Sequence, residues 1–538
     1  MKIKSVIVVG SGASAVHAAF PIVEAGIPVT MIDVGYEDRK YEDIIPKKPF
    51  AEIRRNEKDQ YRYFLGDQLE GLQFGDITVG AQLTPPRQFI TALTEKLTPV
   101  KSDSFFSMES LAAGGLARGW GAGCFPYTDR ELARMHLSRA LLNEHYAEVA
   151  QRIGVSGADD DLIPFYEMPL KLQPPLEIDA NAQSIQASYL SRSGEFKARG
   201  FALGRAHLAV LSQPLAKRTA CRYLDMEFWG DLDQSVYRPT YTLEELKERP
   251  HFKYLDGYLV ERFTEKSGEV IVGAYNTRNR SREEFRADFL VIAAGTFGTT
   301  RIVLRALERF ETKVPLVSNP YTYVPMVNIR RLGKPDTGPR YGLTQLCAVY
   351  HPEDSTDAML HGQLYSYRSL LNYKLMKEIP LPFRASIRLV KMLLSGFCIL
   401  GIHHEDRPSD KKYSMLHKSK GTSPDVLEIE FALDQKTLRQ QEAMENRMLS
   451  CFRKLGCYTL KKIHNGSGSS IHYAGTFPIS LENRELTVTS ECLLRPTNNV
   501  YLADGSVFPY LPAKGPTYSF MANANRVGSI IRDRLRDG

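Results

Sequence analysis

Ser5-Val-Ile-Val-Val-Gly10-Ser-Gly-Ala-Ser-Ala15 decides the fold of this chain. Ser5–Val9 is a β-branched run suited to a strand buried on both faces. Gly10, Gly12 and Ala15 then fit the pattern G-x-G-x-x-G/A. Gly10 permits the tight strand-to-helix turn, Gly12 lets backbone approach a pyrophosphate, and Ala15 allows close helix–strand packing. A helical stretch runs from Ala13, through Ser14, to Ala25 and stops at Gly26, and Pro28–Asp33 (PVTMID) reads as the next strand. The helix N-terminus offers free N–H groups and a positive dipole end to phosphates. Asp33 stands about 20 residues on, where a carboxylate accepts hydrogen bonds from ribose hydroxyls. An acid there disfavours a 2′-phosphate, so NAD or FAD is favoured over NADP. The competing reading is a glycine-rich turn in an α/β domain without a ligand.

Around this unit the composition is that of an ordinary globular protein. The 538 residues suggest two to four folding units at about 100–200 residues each. Hydrophobic residues make up 43% and charged residues 24%, which excludes a disordered tail, a collagen-like fibre and a disulfide miniprotein. The net charge of +7 is mild for this length, so no nucleic-acid partner is expected. Seven scattered cysteines without a CxxC argue against a disulfide framework or a thiolate zinc site and fit a reducing compartment. The first apolar run leads into the glycine motif instead of a cleavage site, so a cytoplasmic location is expected. No stretch of roughly 18 apolar residues occurs, so no spanning helix is expected.

Further along, helical periodicity covers Glu131–Ser138 and Leu142–Ile153. Strand-like alternation covers Phe252–Arg262 and Glu269–Tyr275, separated by the turn signal Ser267-Gly268. Phe289–Ala293 is another buried-type strand, and Val500–Ala503 leads through a loop to a helix over Ala522–Leu535. Residues from about 320 to 450 carry no readable chemical motif. Dinucleotide-like segments thus recur at both ends of the chain, the layout of a flavoprotein whose long cofactor touches widely separated pieces.

The C-terminal region reads His472-Tyr-Ala-Gly475-Thr476, then Asn499-Val-Tyr-Leu-Ala-Asp504-Gly505-Ser506-Val-Phe-Pro509, then Gly515-Pro516-Thr517. This resembles the glucose–methanol–choline (GMC) oxidoreductase superfamily, FAD-dependent enzymes that oxidise alcohols. Gly114-Gly115 with Gly119-Trp120-Gly121 resembles the flavin-contacting run of the pyranose oxidase and gluconate dehydrogenase-like branch. The segment from His145 to Gly157 resembles the helix and turn that follow, and Val291-Ile-Ala-Ala294-Gly295 resembles a strand end beside the cofactor. The resemblance implies an α/β (α+β overall) fold: a Rossmann-like FAD-binding domain of residues 1–130, 250–310 and 485–538. A discontinuous substrate domain on an antiparallel sheet would comprise 131–249 and 311–484. Cofactor contacts are implied at Gly10, Gly12, Ser14, Ala15, Asp33, Gly114, Gly115, Trp120, Gly121, Val260, Ala294, Gly295, Asp504, Gly505, Pro516 and Thr517. Physically, Gly114 and Gly115 let backbone pack against an isoalloxazine ring, whereas Trp120 reads equally as a core anchor. Asp504 also reads as a plain N-cap.

Flavin-dependent alcohol oxidation removes a hydroxyl proton and a hydride. His472 occupies the family's histidine position and is expected to act as general base, since a near-neutral imidazole suits that task. The second catalytic position, Asn or His in the family, aligns with Gly515, so its role passes to Lys514, Tyr473, Tyr518 or a water, or the chemistry differs. Glycine at 119 replaces a histidine that carries the flavin covalently in related enzymes, so FAD is expected to be non-covalent; Cys124 reads as a small buried residue, not a substitute anchor. His403-His404 fits no common ligand spacing, and no metal is expected.

Two basic amphipathic stretches, Tyr367–Lys377 and Phe383–Leu394, precede an apolar run to Ile402. They read either as surface helices packed on the substrate domain or as a peripheral membrane contact across 367–402 at the inner face of the membrane. The expected activity is FAD-dependent oxidation of a sugar or other alcohol hydroxyl, by a dehydrogenase rather than an oxidase, with an unassigned electron acceptor. The alternatives are a non-catalytic flavoprotein, a redox-neutral isomerase or epimerase, or a membrane-associated enzyme acting on a lipid-linked substrate.

Overall fold

The computed structural model describes residues 4–71, 83–167, 172–334, 336, 338, 340–352, 359–366, 381–421 and 423–537. The opening run forms the central strand of a five-stranded parallel sheet. Val6–Val9 pairs with Val29–Ile32 on one side and Phe289–Ile292 on the other. Phe252–Leu255 and Val500–Leu502 complete the two edges. All four residues of Val6–Val9 are buried, as expected for a strand covered on both faces.

The helix Ala13–Glu24 leaves this strand and packs against the long C-terminal helix Thr517–Asp537. Gly528 makes that contact backbone-to-backbone: a Cβ there would lie 2.1 Å from the carbonyl oxygen of Ala18. The two ends of the chain are thereby held against each other.

One expected strand proves to be two. Phe252–Leu255 joins the parallel sheet, whereas Tyr258–Lys266 opens a three-stranded antiparallel sheet with Glu269–Asn276 and Arg282–Ala287. The break is Gly257, whose φ of +84° only glycine adopts readily. Its N–H donates to Val34 and that of Tyr258 to Asp33, so the break returns the chain to the tip of Val29–Ile32. The helix expected over Glu131–Ser138 is shorter, Asp129–Ala133, opened by a capping box between Thr128 and Glu131 and followed by a left-handed His136. The next helix begins earlier than its periodicity suggests, at Arg139.

A seven-stranded antiparallel sheet stands opposite the parallel one. Tyr321–Asn328 is flanked by Phe397–His404 and by Cys457–Thr459 and Ile463–His464. Leu360–Ser366, Leu346–Tyr350 and Phe201–Arg205 continue the order. Its register aligns Tyr321, His403 and His361 in one cross-strand row, with Tyr323, Gly401 and Gln363 in the next row on the same face.

The basic stretch after Pro382 is a helix, Phe383–Leu393. Arg384, Arg388 and Lys391 are exposed, and Ile387, Leu389 and Val390 are half-buried. Residues 367–377 lie outside the described residues. Among the described residues, no helix is long and apolar enough to cross a membrane.

Candidate active site

A single cleft of about 2510 Å³ runs from the tips of the parallel strands to the face of the antiparallel sheet. Its first end is built by the glycine turn. Gly10 has φ +95°, and a Cβ there would meet the Ala293 carbonyl oxygen at 2.6 Å, so the strand-to-helix turn tolerates no side chain. Gly12 has φ −68°, and its nearest neighbours to a Cβ are Gly114 and Gly115 atoms at 4.0 Å; the space it leaves belongs to the cleft. Ala13–Glu24 has no side-chain cap, so its first N–H groups point free into that space.

Ser11 ties this end together. Its hydroxyl donates to Asp33 Oδ2 and accepts from the Gly114 N–H at 2.9 Å. Tyr254 donates to the same Asp33 oxygen at 3.3 Å. Burial raises the Asp33 carboxyl to about 6, against the hydrogen bonds from Ser11, Tyr254 and the Val34 and Gly35 N–H groups. Ser11 occupies an unspecified position of the glycine motif, so no sequence signal distinguishes it.

At the middle of the cleft, Gly295 caps the helix Thr296–Ala306, and Thr296 donates to the Tyr473 carbonyl at 2.6 Å. Gly505 allows that approach: a Cβ there would meet the same carbonyl at 2.5 Å. Asp504 accepts from Thr299 at 2.5 Å and from the Ser506 N–H at 2.9 Å, so its carboxylate caps a short turn while neighbouring backbone lines the cleft. Trp120 lines the cleft with its indole N–H tied to the Tyr237 carbonyl at 2.7 Å.

At the far end, His472 faces the cleft, half-buried. Its Nδ1 lies 3.1 Å from Asn319 Oδ1. Its ring stacks on His403 with centroids 5.0 Å apart, and His403 stacks on Tyr321 at 4.3 Å. Burial lowers the His472 imidazole to about 4 and holds His403 well below its ordinary value, so both are neutral at pH 7. Gly515 sits beside His472: a Cβ there would lie 3.9 Å from His472 Cε1 and 3.7 Å from the Phe125 ring. These are ordinary contacts, so the glycine leaves room in the cleft without being required by the backbone.

Of the residues singled out in the sequence, Gly10, Gly12, Ser14, Asp33, Gly115, Trp120, Gly121, Val260, Ala294, Gly295, His472, Asp504, Gly505, Gly515, Pro516 and Thr517 line this one cleft. Ala15 and Gly114 stand behind the lining; Ala15 is fully buried under the glycine turn. Lys514 is the clear exception. Its ammonium is fully buried away from the cleft, donating to Glu131 at 2.7 Å, to the Pro126 carbonyl at 3.1 Å and to the Phe165 carbonyl. It is thus a structural partner of Glu131 and not a group beside the vacant position 515. Tyr518 is likewise turned inward, bonded to the Tyr146 carbonyl at 2.6 Å. Lys514→Ala leaves a buried carboxylate unpaired and is expected to cost about 3–5 kcal/mol of stability. That loss would appear as a lowered thermal midpoint, with the rate per folded molecule unchanged.

Asn319, Tyr321, Tyr323, Gln363 and Tyr365 had no sequence signal of function, and His403 stood out only as half of a pair that fits no metal-ligand spacing. All but Asn319 line the cleft. His404, by contrast, turns to Glu445 at 3.0 Å, so the His403-His404 pair splits to opposite faces of its strand. Among the described residues no cluster could hold a metal ion.

Three solved structures are similar to the chain over nearly its whole length. Pyridoxine 4-oxidase from Mesorbium loti aligns with TM-score 0.56 and 13% identity over 98% of this chain and 99% of its own. An FAD-dependent oxidoreductase from Chaetomium thermophilum aligns with TM-score 0.58 and 13% identity over 99% and 100%. Formate oxidase from Aspergillus oryzae aligns with TM-score 0.57 and 12% identity over 99% of each chain. No family model and no curated protein sequence matches. The likeness is one of fold.

Proposed function

We propose that this chain, which has the fold of the GMC oxidoreductases, binds FAD non-covalently and oxidises an uncharged alcohol with His472 as general base. One observation carries the reading: a cleft of about 2510 Å³ joins the dinucleotide cradle to His472 without a break. A drug-sized ligand needs only about 300–1,000 Å³. The cleft therefore has room for a long cofactor and an alcohol together.

The residues present fit such a cofactor. The bare space over Gly12 and the uncapped N–H groups of Ala13–Glu24 suit a pyrophosphate. Asp33 lines the cleft beside the glycine turn, where its carboxyl suits ribose hydroxyls. Backbone at Gly115, Gly295 and Gly505 suits a flat ring system. When bound, FAD supplies a hydride acceptor. His472 then takes the hydroxyl proton as the carbon-bound hydrogen leaves with its electron pair, and the alcohol becomes a carbonyl compound. The non-covalent mode is supported by Gly119 and by the lining of the cleft, which includes no cysteine; Cys124 is fully buried behind it.

The preference for an uncharged substrate is supported by the sheet face opposite the cofactor cradle. Tyr321, Tyr323, Gln363, Tyr365 and His403 present rings, hydroxyls and an amide to the cleft, and none is charged at pH 7. A carboxylate or phosphate on the substrate would find no cation among these five. A sugar hydroxyl remains within this class, as does an aromatic alcohol.

The test is to purify the protein, record its visible spectrum and denature it. The expected result is a yellow protein whose colour passes into the supernatant as free FAD. A colourless protein that FAD cannot reconstitute, or colour that stays with the precipitate, contradicts the proposal.

A further inference from the structure

We infer that Asn319 is a positioning residue that holds His472 in the tautomer with the proton on Nδ1, leaving the Nε2 lone pair open to the cleft. The amide of Asn319 is itself fixed by its surroundings. Its Nδ2 donates to the His404 carbonyl at 2.7 Å and to the Pro512 carbonyl at 2.8 Å. Turning the amide over would place Oδ1 against two carbonyl oxygens, with no hydrogen between them. The orientation is therefore forced, and Oδ1 must face His472 Nδ1 at 3.1 Å. An amide oxygen only accepts, so His472 Nδ1 must donate.

A neutral imidazole carries one proton. With that proton on Nδ1, Nε2 is the acceptor. Among the described residues Nε2 has no hydrogen-bond partner, and the ring edge that carries it lies toward the vacant position 515. The stack on His403 and Tyr321 keeps the ring from tilting. The groups that face His472 carry no charge at neutral pH: His403 and His361 are both neutral, the latter lowered to about 3 by burial. Asp406 is turned away to Lys412 and the Ser318 N–H. Among the described residues, no carboxylate is therefore placed to set the tautomer in place of the amide.

Asn319 thus does for this imidazole what a carboxylate does in a Ser-His-Asp triad, but without charge. It orients the ring while stabilising the imidazolium less than a carboxylate would, and burial keeps His472 a neutral base to low pH. The base role itself rests on the proposed function; the tautomer does not, and the two are read separately.

The experiment uses the FAD-reconstituted protein labelled with ¹⁵N-histidine, with His472 assigned by its loss in His472→Ala. Long-range ¹H–¹⁵N spectra at neutral pH are expected to show His472 protonated on Nδ1. In Asn319→Ala the signal is expected to move to the Nε2-protonated form or to a mixture. Asn319→Asp keeps an oxygen facing Nδ1 and sets its other oxygen against the His404 and Pro512 carbonyls, so the carboxyl is expected to hold a proton toward them and the Nδ1–H form to persist. Such a carboxyl carries no charge, so His472 should still titrate below its ordinary value. Asn319→Asp also keeps the test open if the alanine variant does not fold. A wild-type His472 protonated on Nε2, an unchanged tautomer in Asn319→Ala, or loss of the Nδ1–H form in Asn319→Asp would each overturn the inference. If the tautomer behaves as expected but His472→Ala still reduces flavin at the wild-type rate, the proposed function fails and the tautomer assignment stands.

Discussion

Replacing His472 with alanine is expected to slow flavin reduction by an alcohol about 10²–10⁴-fold while the protein keeps its FAD. The rate falls because the cleft then has no neutral base facing the reacting hydroxyl. The lining offers one other imidazole, His403, and it lies behind the His472 ring in the stack. FAD stays because the groups that fit it, the glycine turn, Ser11 and Asp33, stand at the opposite end of the cleft. The pH dependence gives a second readout with a defined sign. A base works when deprotonated, and burial lowers His472 to about 4. The rate should therefore rise with pH through about 4 and be flat across the range where an ordinary histidine still titrates. Rapid-mixing kinetics across pH checks both points. A variant that retains wild-type rates contradicts the role of His472.

The second large effect is expected at Gly10. Alanine there must adopt φ +95°, a cost of about 1–2 kcal/mol. Its Cβ would also press on the Ala293 carbonyl at 2.6 Å, and forced overpacking costs about 1–3 kcal/mol more. Neither side can give way easily. Gly10 N–H is bonded to the Ile32 carbonyl at 2.8 Å, and Ala293 N–H to the Val9 carbonyl at 3.1 Å, so both are pinned by the sheet. Gly10→Ala should therefore lower the thermal midpoint of the apoprotein and lose FAD. Gly12→Ala separates fold from ligand: its φ is ordinary and its Cβ meets no protein atom closer than 4.0 Å. That variant should unfold at the wild-type temperature yet bind FAD poorly. Equal thermal loss in the two variants would contradict this account of the turn.

The parts of the fold legible in the sequence are those with short-range signals. Val6–Val9, the glycine turn and Val29–Ile32 are consecutive, and each has its own periodicity or breaker. The split of Phe252–Arg262 at Gly257 was hidden because alternation continues on both sides of the turn. The far wall of the cleft was illegible for a different reason. Tyr321 and His403 meet only through strand pairing between distant segments, and neither carries a local motif. Asn319 matters through where its amide points, which depends on carbonyls at His404 and Pro512. Lys514 misled in the opposite sense: it adjoins the vacant position in sequence, but its side chain runs into the core to reach Glu131.

In the function proposed above, one neutral imidazole and a flavin meet an alcohol in a single cleft. The decisive experiment is anaerobic mixing of the FAD-loaded protein with a panel of uncharged aromatic alcohols and sugars, followed in the visible flavin band. Bleaching by at least one member of the panel, strongly slowed in His472→Ala, is the expected result. Bleaching that proceeds equally fast without His472, or a band that no alcohol in the panel bleaches, would contradict it.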